Sequence, residues 1–254
     1  MEIKNYYSGT SGLLLPVRNK LSYPEEFKAK SRLCFYSSMM NSIEINSSFY
    51  KVPMAATVKK WSAEVPVGFK FTFKLFREIT HNKGLAFDPD LLKNFMDVIS
   101  NAAEKKGCLL VQFPPSVRIG NIKQLAFLMD KLVEFDPERQ WNVAMEFRHG
   151  SLYQQDVYNL LEEHQIGMVI QDKPPAITPI METELPFVYL RFHGPGGSYR
   201  GSYETELLEE YADYIRNWLD DGKTVYTYFN NTMGEAVSNL FTLQDLLREK
   251  SIAE

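Results

Sequence analysis

The stretch Val143-Ala144-Met145-Glu146-Phe147-Arg148-His149-Gly150 decides how the chain folds. It begins as a strand, and a strand sends alternate side chains to opposite faces. One face of this strand is wholly apolar, whereas the other begins with a small residue and ends with Glu146 and Arg148. If the apolar face packs on helices, these two charges point into the interior. Burying charge is costly unless partners are present, so we expect other segments to supply those partners.

Strand-like segments alternate with segments of helical spacing along the 254 residues. Strands that alternate with helices form parallel sheets. Eight such strands in a chain close to the roughly 250 residues of a typical barrel favour closure over an open sheet. No linker or low-complexity run divides the chain. We therefore predict an α/β fold, a single TIM-type (β/α)8 barrel with parallel strands that forms one domain over residues 1–254. The predicted strands are 6–12, 42–47, 68–74, 108–113, 143–150, 166–172, 187–193 and 224–230, and the predicted helices are 24–39, 57–63, 88–105, 121–135, 152–164, 204–220 and 234–249.

The composition argues against several classes of function. A net charge of −4 and a pI of about 5.7 give no basic field that would attract nucleic acid or an anionic membrane. Only Cys34 and Cys108 occur, without CxxC spacing, which argues against a disulfide framework or a thiolate zinc site. No segment has the pattern of a secretion signal or a membrane span. We therefore expect a cytoplasmic protein without membrane contacts.

Polar and charged residues collect toward the carboxyl ends of the predicted strands. In a barrel of this kind the active site lies at these ends. Residues such as Arg191 and His193 also keep the same parity within one strand, so they would face one shared interior. We expect a buried network of carboxylates and cations there. Its members are Glu44, Asn46, Lys74, Gln112, Glu146, Arg148, Asp172, Arg191, His193, Tyr228 and Asn230.

Short motifs around these strand ends carry a family resemblance. They are Gly9-Thr10-Ser11-Gly12, Ile43-Glu44-Ile45-Asn46-Ser47-Ser48-Phe49-Tyr50, Gln112-Phe113-Pro114-Pro115, Glu146-Phe147-Arg148-His149, Tyr189-Leu190-Arg191-Phe192-His193-Gly194 and Tyr228-Phe229-Asn230-Asn231. The chain resembles the YecE-like family, the domain of unknown function numbered seventy-two, along almost its whole length. The resemblance implies a TIM-like barrel and brings no established activity. The chain departs from the family pattern at Leu13 and Leu152, where tryptophan is expected, so aromatic stacking at the barrel mouth is not supported.

Glu44 and Glu146 are the candidate acid/base pair. The second and fifth strands of a barrel lie roughly across from each other, so their carboxylates could flank a substrate bond. Paired carboxylates perform acid/base chemistry when their surroundings separate their pKa values. His193, at a strand end, is a third candidate for proton transfer. The structural alternative is that neighbouring cations neutralise both carboxylates and tie the strands together, at considerable cost.

The cations at the strand ends predict an anionic substrate. Arg148 and Arg191, with Lys74, would bind a phosphate or carboxylate, because a guanidinium matches both groups in shape and charge. Our leading hypothesis is an enzyme that performs acid/base chemistry on a small polar anion, such as a phosphorylated sugar or nucleotide fragment. The glycine-rich segment 194–201 could cradle a phosphate or simply form turns. The other expected substrate-binding residues are Asn46, Gln112, Asp172, Tyr228, Asn230 and His149.

Three other functions stay open at this point. A metal-dependent phosphoesterase or isomerase could use His193, His149 and His81 with Glu146 and Asp172, but no HxH or HExxH spacing supports a metal site. We assign no metal and no cofactor. A nucleic-acid-binding protein is disfavoured by the negative net charge. A non-catalytic small-ligand binder would use the same site without turnover, and the sequence leaves the oligomeric state open.

Overall fold

The computed structural model describes residues 3–250, which form parallel strands flanked by helices. In chain order the strands are β1 (Tyr6–Thr10), β2 (Ser42–Ile45), β3 (Lys70–Lys74), β4 (Lys106–Gln112), β5 (Asn142–Glu146), β6 (Gly167–Met168), β7 (Ile170–Gln171), β8 (Phe187–Phe192) and β9 (Thr224–Phe229). The helices are α1 (Arg32–Tyr36), α2 (Ala55–Glu64), α3 (Arg77–Thr80), α4 (Pro89–Ile99), α5 (Ile122–Phe135), α6 (Gln155–Glu163), α7 (Thr205–Asp220) and α8 (Ala236–Lys250). None of these helices combines the length and the apolar character that crossing a membrane requires.

The strands form two parallel sheets. One sheet has the order β2-β3-β4-β5-β6, and the other has the order β1-β9-β8-β7. The pairings are in parallel register, so that Ala144 lies beside Leu110 on one side and beside Gly167 on the other. The predicted α/β class with parallel strands is confirmed. The single closed barrel and the single domain stay predictions.

The two sheets approach each other at two places. On one side, Ser11 and Glu44 form an isolated parallel bridge. On the other side, the strand predicted over 166–172 is interrupted at Val169, so its first part pairs with β5 and its second part with β8. The Val169 N–H still donates to the Met145 carbonyl over 2.9 Å. The carboxyl ends of the strands thus lie at one end of the molecule, which we call the mouth.

The helix predicted over 24–39 is wrong for most of its length. A 3-10 turn occupies Glu25–Phe27, and α1 begins only after Ser31. The Ser31 hydroxyl accepts a hydrogen bond from the Cys34 N–H over 3.0 Å. This bond satisfies an N–H group that has no acceptor within the helix, and it therefore marks where the helix starts.

Aromatic side chains in and just before β3 are buried on the outer face of the sheet. Phe69, Phe71 and Phe73 are buried in the main hydrophobic core. Phe73 packs edge-on against Trp141, with the ring centroids 5.8 Å apart. Thr72, one residue out of step, is buried on the opposite face. Because burying one phenylalanine contributes roughly 1.5–3 kcal/mol, this alternation decides which face of β3 lines the interior.

β1 and β2 approach each other so closely that no side chain fits at Gly9. A Cβ atom at Gly9 would lie 2.1 Å from the Ser42 carbonyl oxygen and 2.7 Å from the Tyr36 hydroxyl oxygen. We expect Gly9→Ala to lower the free energy of unfolding by about 1–3 kcal/mol, because backbone must shift to make room. Gly120→Ala is the control, since a Cβ atom there meets nothing within 4 Å. Urea unfolding measures both variants, and equal midpoints would contradict the prediction.

Candidate functional site

A fully buried ion pair joins β2 to β8 at the centre of the site. Glu44 lies in β2 and Arg191 in β8, and the exposed fraction of each residue is at most 2%. The Arg191 guanidinium donates through Nε to Glu44 Oε2 over 3.0 Å and through Nη2 to Oε1 over 2.8 Å. Such two-point geometry makes a charge-assisted pair both strong and directional. The pair therefore fixes the distance between the two strands at the mouth.

Two further donors complete the environment of Glu44. The Ser11 hydroxyl donates to Oε1 and the Tyr189 hydroxyl donates to Oε2, each over 2.6 Å. Each carboxylate oxygen thus accepts two hydrogen bonds. Burial would raise the pKa of Glu44, but Arg191 and these hydrogen bonds hold it below its ordinary value. Glu44 is a carboxylate with no acceptor position left for a substrate proton.

Glu146, the last residue of β5, is the second carboxylate of the cluster. Arg191 Nη1 donates to its Oε2 over 3.1 Å, and Arg148 Nη2 lies 2.5 Å from its Oε1. His193 Nε2 lies 3.1 Å from the same Oε1. Burial opposes the charge, but Arg148 and Arg191 hold the pKa of Glu146 well below its ordinary value. Glu146 is therefore ionised at neutral pH, and within residues 3–250 its Oε2 accepts from Arg191 alone.

His193 connects this cluster to the loop after β7. Its backbone N–H donates to Asp172 Oδ1 over 2.8 Å, and its ring Nδ1 lies 3.2 Å from the same oxygen. Ring Nε2 lies 2.9 Å from Arg148 Nη2 and 2.7 Å from Arg191 Nη1. Arginine has no acceptor, so Nε2 accepts from the guanidinium groups and the ring proton lies on Nδ1, toward Asp172.

Arg148 lies two residues beyond Glu146, just outside β5. Its Nη1 donates to Gln171 Oε1 over 2.8 Å. The Arg148 side chain is 9% exposed, whereas that of Arg191 is 2% exposed and donates within the buried cluster from all three of its nitrogen atoms. Arg148 is therefore the guanidinium that can meet a ligand at the mouth. Arg191, which was also predicted to bind the anion, is enclosed by protein acceptors.

Lys74 ends β3 near this cluster and lacks an acceptor of its own. Its Nζ lies 4.3 Å from the ring centroid of Phe49, and within residues 3–250 it forms no hydrogen bond or ion pair. Burial and the positive charge of Arg191 lower the pKa of Lys74 to about 8, although the two carboxylates oppose this shift. Burial and the charge of Lys74 in turn lower the pKa of the neighbouring His81 to about 4. Lys74 thus presents an unoccupied amine at the mouth.

Two predicted binding residues lie apart from the cluster. The Tyr228 hydroxyl is buried beside Ser42 Oγ, at 2.5 Å, and Thr72 Oγ1, at 2.7 Å. Ser42 is the first residue of β2, so the Tyr228 hydroxyl points toward the amino ends of the strands instead of the mouth. His149 begins the next turn, where its ring Nδ1 accepts from the Ser151 N–H over 3.1 Å. Both side chains are therefore used in holding the fold.

Three predicted binding residues have amide side chains and lie at or just beyond strand ends. Asn46 begins the 3-10 turn Asn46–Phe49, outside the strand predicted to include it, and its Oδ1 is buried without a hydrogen-bond partner in the described chain. Gln112 donates from Nε2 to the Phe113 carbonyl over 2.5 Å. Asn230 follows β9 and is buried. Of the three, Asn46 leaves a buried acceptor for which residues 3–250 provide no donor.

Four residues that hold the cluster together are absent from the predicted site. Tyr189 shares strand parity with Arg191, so strand alternation could have identified it. Gln171 immediately precedes the predicted Asp172. Because the strand is interrupted at Val169, strand alternation does not tell which of these two side chains faces the cluster. Tyr203, whose hydroxyl donates to Asp172, lies in an irregular connection, and no pattern in the sequence indicates that contact. The four residues are Ser11, Tyr189, Gln171 and Tyr203.

The glycine-rich segment 194–201 forms turns next to His193. The Tyr199 ring lies 5.7 Å from the His193 ring. Gly194 has a φ of 90°, and a Cβ atom there would lie 2.3 Å from the Arg200 carbonyl oxygen. Glycine is required at Gly194 by this close backbone approach. The phosphate cradle predicted for the segment stays a prediction.

Metal ligands do not converge in the part of the chain that the structure describes. Within residues 3–250 no group of three or more histidine, cysteine, aspartate or glutamate side chains could hold a metal ion. Of the three candidate histidines, only His193 contacts the carboxylates Glu146 and Asp172. His149 and His81 hydrogen-bond to hydroxyl groups beside them in the sequence.

Fold and site together define an α/β protein with parallel sheets and a buried charge cluster at the carboxyl ends of its strands. The family model described as "Protein of unknown function DUF72" matches residues 7–253, and the chain belongs to this family. The resemblance that the sequence motifs indicated is thereby confirmed.

Several proteins are similar to this chain in sequence or in fold. The chain is similar to the UPF0759 protein YunF of Bacillus subtilis (strain 168), with 25% identity over an alignment 264 residues long, gaps included. The alignment covers 89% of each protein. A crystal structure of a DUF72 family protein from Thermotoga maritima MSB8 has 27% identity and a TM-score of 0.77, covering 96% of this chain and 99% of that one. A DUF72 family protein from Enterococcus faecalis V583 has the same fold, with 21% identity, a TM-score of 0.78, and coverage of 96% of this chain and 95% of that one. These names state a family and no reaction.

Arg191→Met tests the buried pair. At about pH 7 we expect the variant to lose about 3–5 kcal/mol of unfolding free energy, because Glu44 and Glu146 lose their shared cation. In the wild type both carboxyl pKa values are lowered, so their contribution to stability is lost as the pH falls through the folded-state values. In the variant the buried Glu44 carboxyl is left without a cation and its pKa is raised, whereas Glu146 keeps Arg148, so lowering the pH restores part of the lost stability.

The measurement is urea unfolding of wild type and Arg191→Met at about pH 7 and about pH 5. We expect the difference in unfolding free energy between the two proteins to be smaller at the lower pH. Lys74→Met is the matched control, because it removes a cation that has no ion pair. We expect that control to change the unfolding free energy by less than about 1 kcal/mol. A difference for Arg191→Met that widens at the lower pH would contradict this account.

Proposed function

We propose that this protein is an enzyme that binds a small anionic substrate at the mouth and acts on it by acid/base catalysis. The observation that carries the proposal is the amine of Lys74, which has no hydrogen-bond or ion-pair partner among residues 3–250 and lies within electrostatic range of Arg148. Two cations held near each other by the ends of strands, one of them without a protein acceptor, suit a phosphate or carboxylate. A phosphorylated sugar is a substrate of this kind.

We also propose that the two sheets act as one TIM-type (β/α)8 barrel over residues 1–254. The bridge between Ser11 and Glu44 supports closure on one side. Support on the other side comes from the short run 167–171, whose two parts pair with different sheets. A barrel of this type has its active site at the carboxyl ends of the strands, where the charge cluster lies.

We assign different roles to the two predicted catalytic carboxylates. Glu44 already accepts four hydrogen bonds, so its role is to position Arg191 rather than to transfer a proton. Glu146 is the general base, because in the described part of the chain its Oε2 accepts a hydrogen bond from Arg191 alone. His193, with Nδ1 toward Asp172, is the counterpart of Glu146 in proton transfer.

Access to Glu146 requires a movement of Arg148. Glu146 is fully buried, and Arg148 Nη2 contacts its Oε1 at 2.5 Å. We propose that a substrate anion draws the partly exposed Arg148 away from Glu146 and thereby opens the carboxylate to the substrate. Without a substrate, Arg148 stays paired with Glu146 and blocks access to this carboxylate.

A second candidate function is non-catalytic binding of the same small ligand. The complete burial of Glu44, Glu146 and His193 favours it, since a cluster that satisfies itself can serve structure alone. A binder of this kind raises its thermal unfolding midpoint with ligand and releases no product. The enzyme and the binder therefore differ in turnover and share the anion site.

Arg148→Met tests the anion site. We expect the affinity for inorganic phosphate, measured from the rise in thermal unfolding midpoint, to fall about tenfold or more, which corresponds to about 1.4 kcal/mol. Arg248→Met is the matched control, because Arg248 pairs with Asp245 on the surface of α8. It should bind phosphate as the wild type does. Equal losses in both variants would show only a general effect of charge.

Glu146→Gln tests the general base. A thermal-shift screen with phosphorylated sugars, nucleotides and divalent metals first selects a ligand, and each ligand found is then assayed for turnover. With a substrate identified in this way, we expect Glu146→Gln to lower turnover by about 10²–10⁴-fold while binding persists. Unchanged turnover would remove Glu146 from this role, and loss of binding together with turnover would assign it to ligand recognition.

A further inference from the structure

Two polar groups without partners lie at neighbouring strand ends of the mouth. β2 and β3 pair in register up to Ile45 beside Phe73. Asn46 then begins the turn after β2, and Lys74, the last residue of β3, is joined to that turn through the Ser48 hydroxyl. Asn46 Oδ1 is buried and accepts no hydrogen bond within residues 3–250, and Lys74 Nζ likewise has no acceptor there. A buried polar atom such as Asn46 Oδ1 is almost always paired. A donor and an acceptor left unused at the same place indicate a ligand site.

The turn after β2 holds Lys74 in a defined position. The Ser48 hydroxyl contacts the carbonyl oxygens of Lys74 and Ile45, at 2.7 and 2.6 Å, and so joins the turn to the end of β3. The Phe49 ring packs against the Lys74 amine on one side and edge-on against the His81 ring, with the ring centroids 4.9 Å apart. A nucleophile needs this kind of support from rigid neighbours.

The charges around Lys74 favour its neutral amine form. Burial and the Arg191 guanidinium lower the pKa of Lys74 to about 8, so about a tenth of the side chains are neutral at pH 7. A neutral lysine amine among cations is a nucleophile that enzymes use against carbonyl groups. The titratable and charged groups that face Lys74 are Glu44 from β2, His81 after α3, Glu146 from β5, Arg148 after β5 and Arg191 from β8.

We propose that Lys74 forms a Schiff base with a small anionic aldehyde or ketone at the mouth, an inference that rests on the proposed function for the binding of the anion. The amine lone pair forms a C–N bond to the carbonyl carbon while a proton moves from nitrogen to the carbonyl oxygen. One further proton from the solvent converts the new hydroxyl group to water, the C–O bond breaks, and a protonated imine remains. The imine carries the same positive charge as a protonated lysine.

The neighbouring groups define the rest of the substrate. Asn46 Oδ1 accepts a hydrogen bond, which a hydroxyl group next to the carbonyl would donate. Arg148 matches a phosphate or carboxylate at the other end. The protonated imine withdraws electrons from the adjacent carbon, whose proton Glu146 can then remove. The substrate class is therefore a hydroxylated aldehyde or ketone that carries an anionic group.

Reductive trapping tests this proposal. The full chain is incubated with dihydroxyacetone phosphate, or with pyruvate as a probe without the hydroxyl group, and sodium borohydride then transfers hydride to the imine carbon. We expect a mass gain equal to the probe less one oxygen atom, located on Lys74 by peptide mapping. The rate of trapping should rise with pH through about 8, because only the neutral amine reacts. An adduct spread evenly over the lysines, or no adduct, would overturn the proposal.

Matched lysine variants separate this proposal from the anion site. Lys74→Arg keeps a positive charge and should lose the adduct, whereas Lys93→Arg, whose lysine pairs with Asp97 on α4, should be trapped at the wild-type rate. Thermal unfolding shows whether each variant folds, and inorganic phosphate reports the anion site independently. Phosphate binding without an adduct would overturn the Schiff base alone. An adduct on Lys74 without phosphate binding would instead overturn the anion site of the proposed function.

Discussion

The site depends on the ion pairs that Arg191 forms across the two sheets. It lies in the four-stranded sheet and binds two fully buried carboxylates, Glu44 and Glu146, that belong to the five-stranded sheet. A carboxylate buried without a partner costs several kcal/mol, so the two sheets can present their strand ends only in the arrangement that satisfies all three charges. Between the two sheets, this side-chain pairing adds to the isolated backbone bridge of Ser11 and Glu44.

Beside the ion pair of Glu44 and Arg191, some polar groups at the mouth lack partners in the described part of the chain. Glu44 has every acceptor position filled, whereas Lys74 has no acceptor and Asn46 Oδ1 has no donor among residues 3–250. Arg148 lies between these extremes, because it is paired with Glu146 and still partly exposed. A protein that needed charges only for stability would gain nothing from an unpaired, desolvated lysine. The contrast between the fully hydrogen-bonded Glu44 and the partnerless groups of Lys74 and Asn46 is therefore the strongest physical argument for a function at the mouth.

The similarity to other DUF72 family proteins concerns the fold and the family. Structures with 21–27% identity cover nearly the whole chain, and one fold commonly carries many activities. The chemistry must therefore be argued from side chains. In our proposals Glu44, which the sequence offered as an equal partner of Glu146, positions Arg191. Lys74, which the sequence offered only as one more cation, is the proposed nucleophile.

What the sequence determined by itself was local. The α/β class, most of the strands and the buried face of β3 follow from periods of two and 3.6 residues, which neighbouring residues specify together. Only the tertiary structure decided which carboxylate meets which cation, since Glu44 and Arg191 are separated by 147 positions in the chain. It also decided that Tyr228 points away from the mouth and that the pKa of Lys74 falls to about 8. Burial and the distance between charges set these properties, and neither quantity exists until distant segments have packed together.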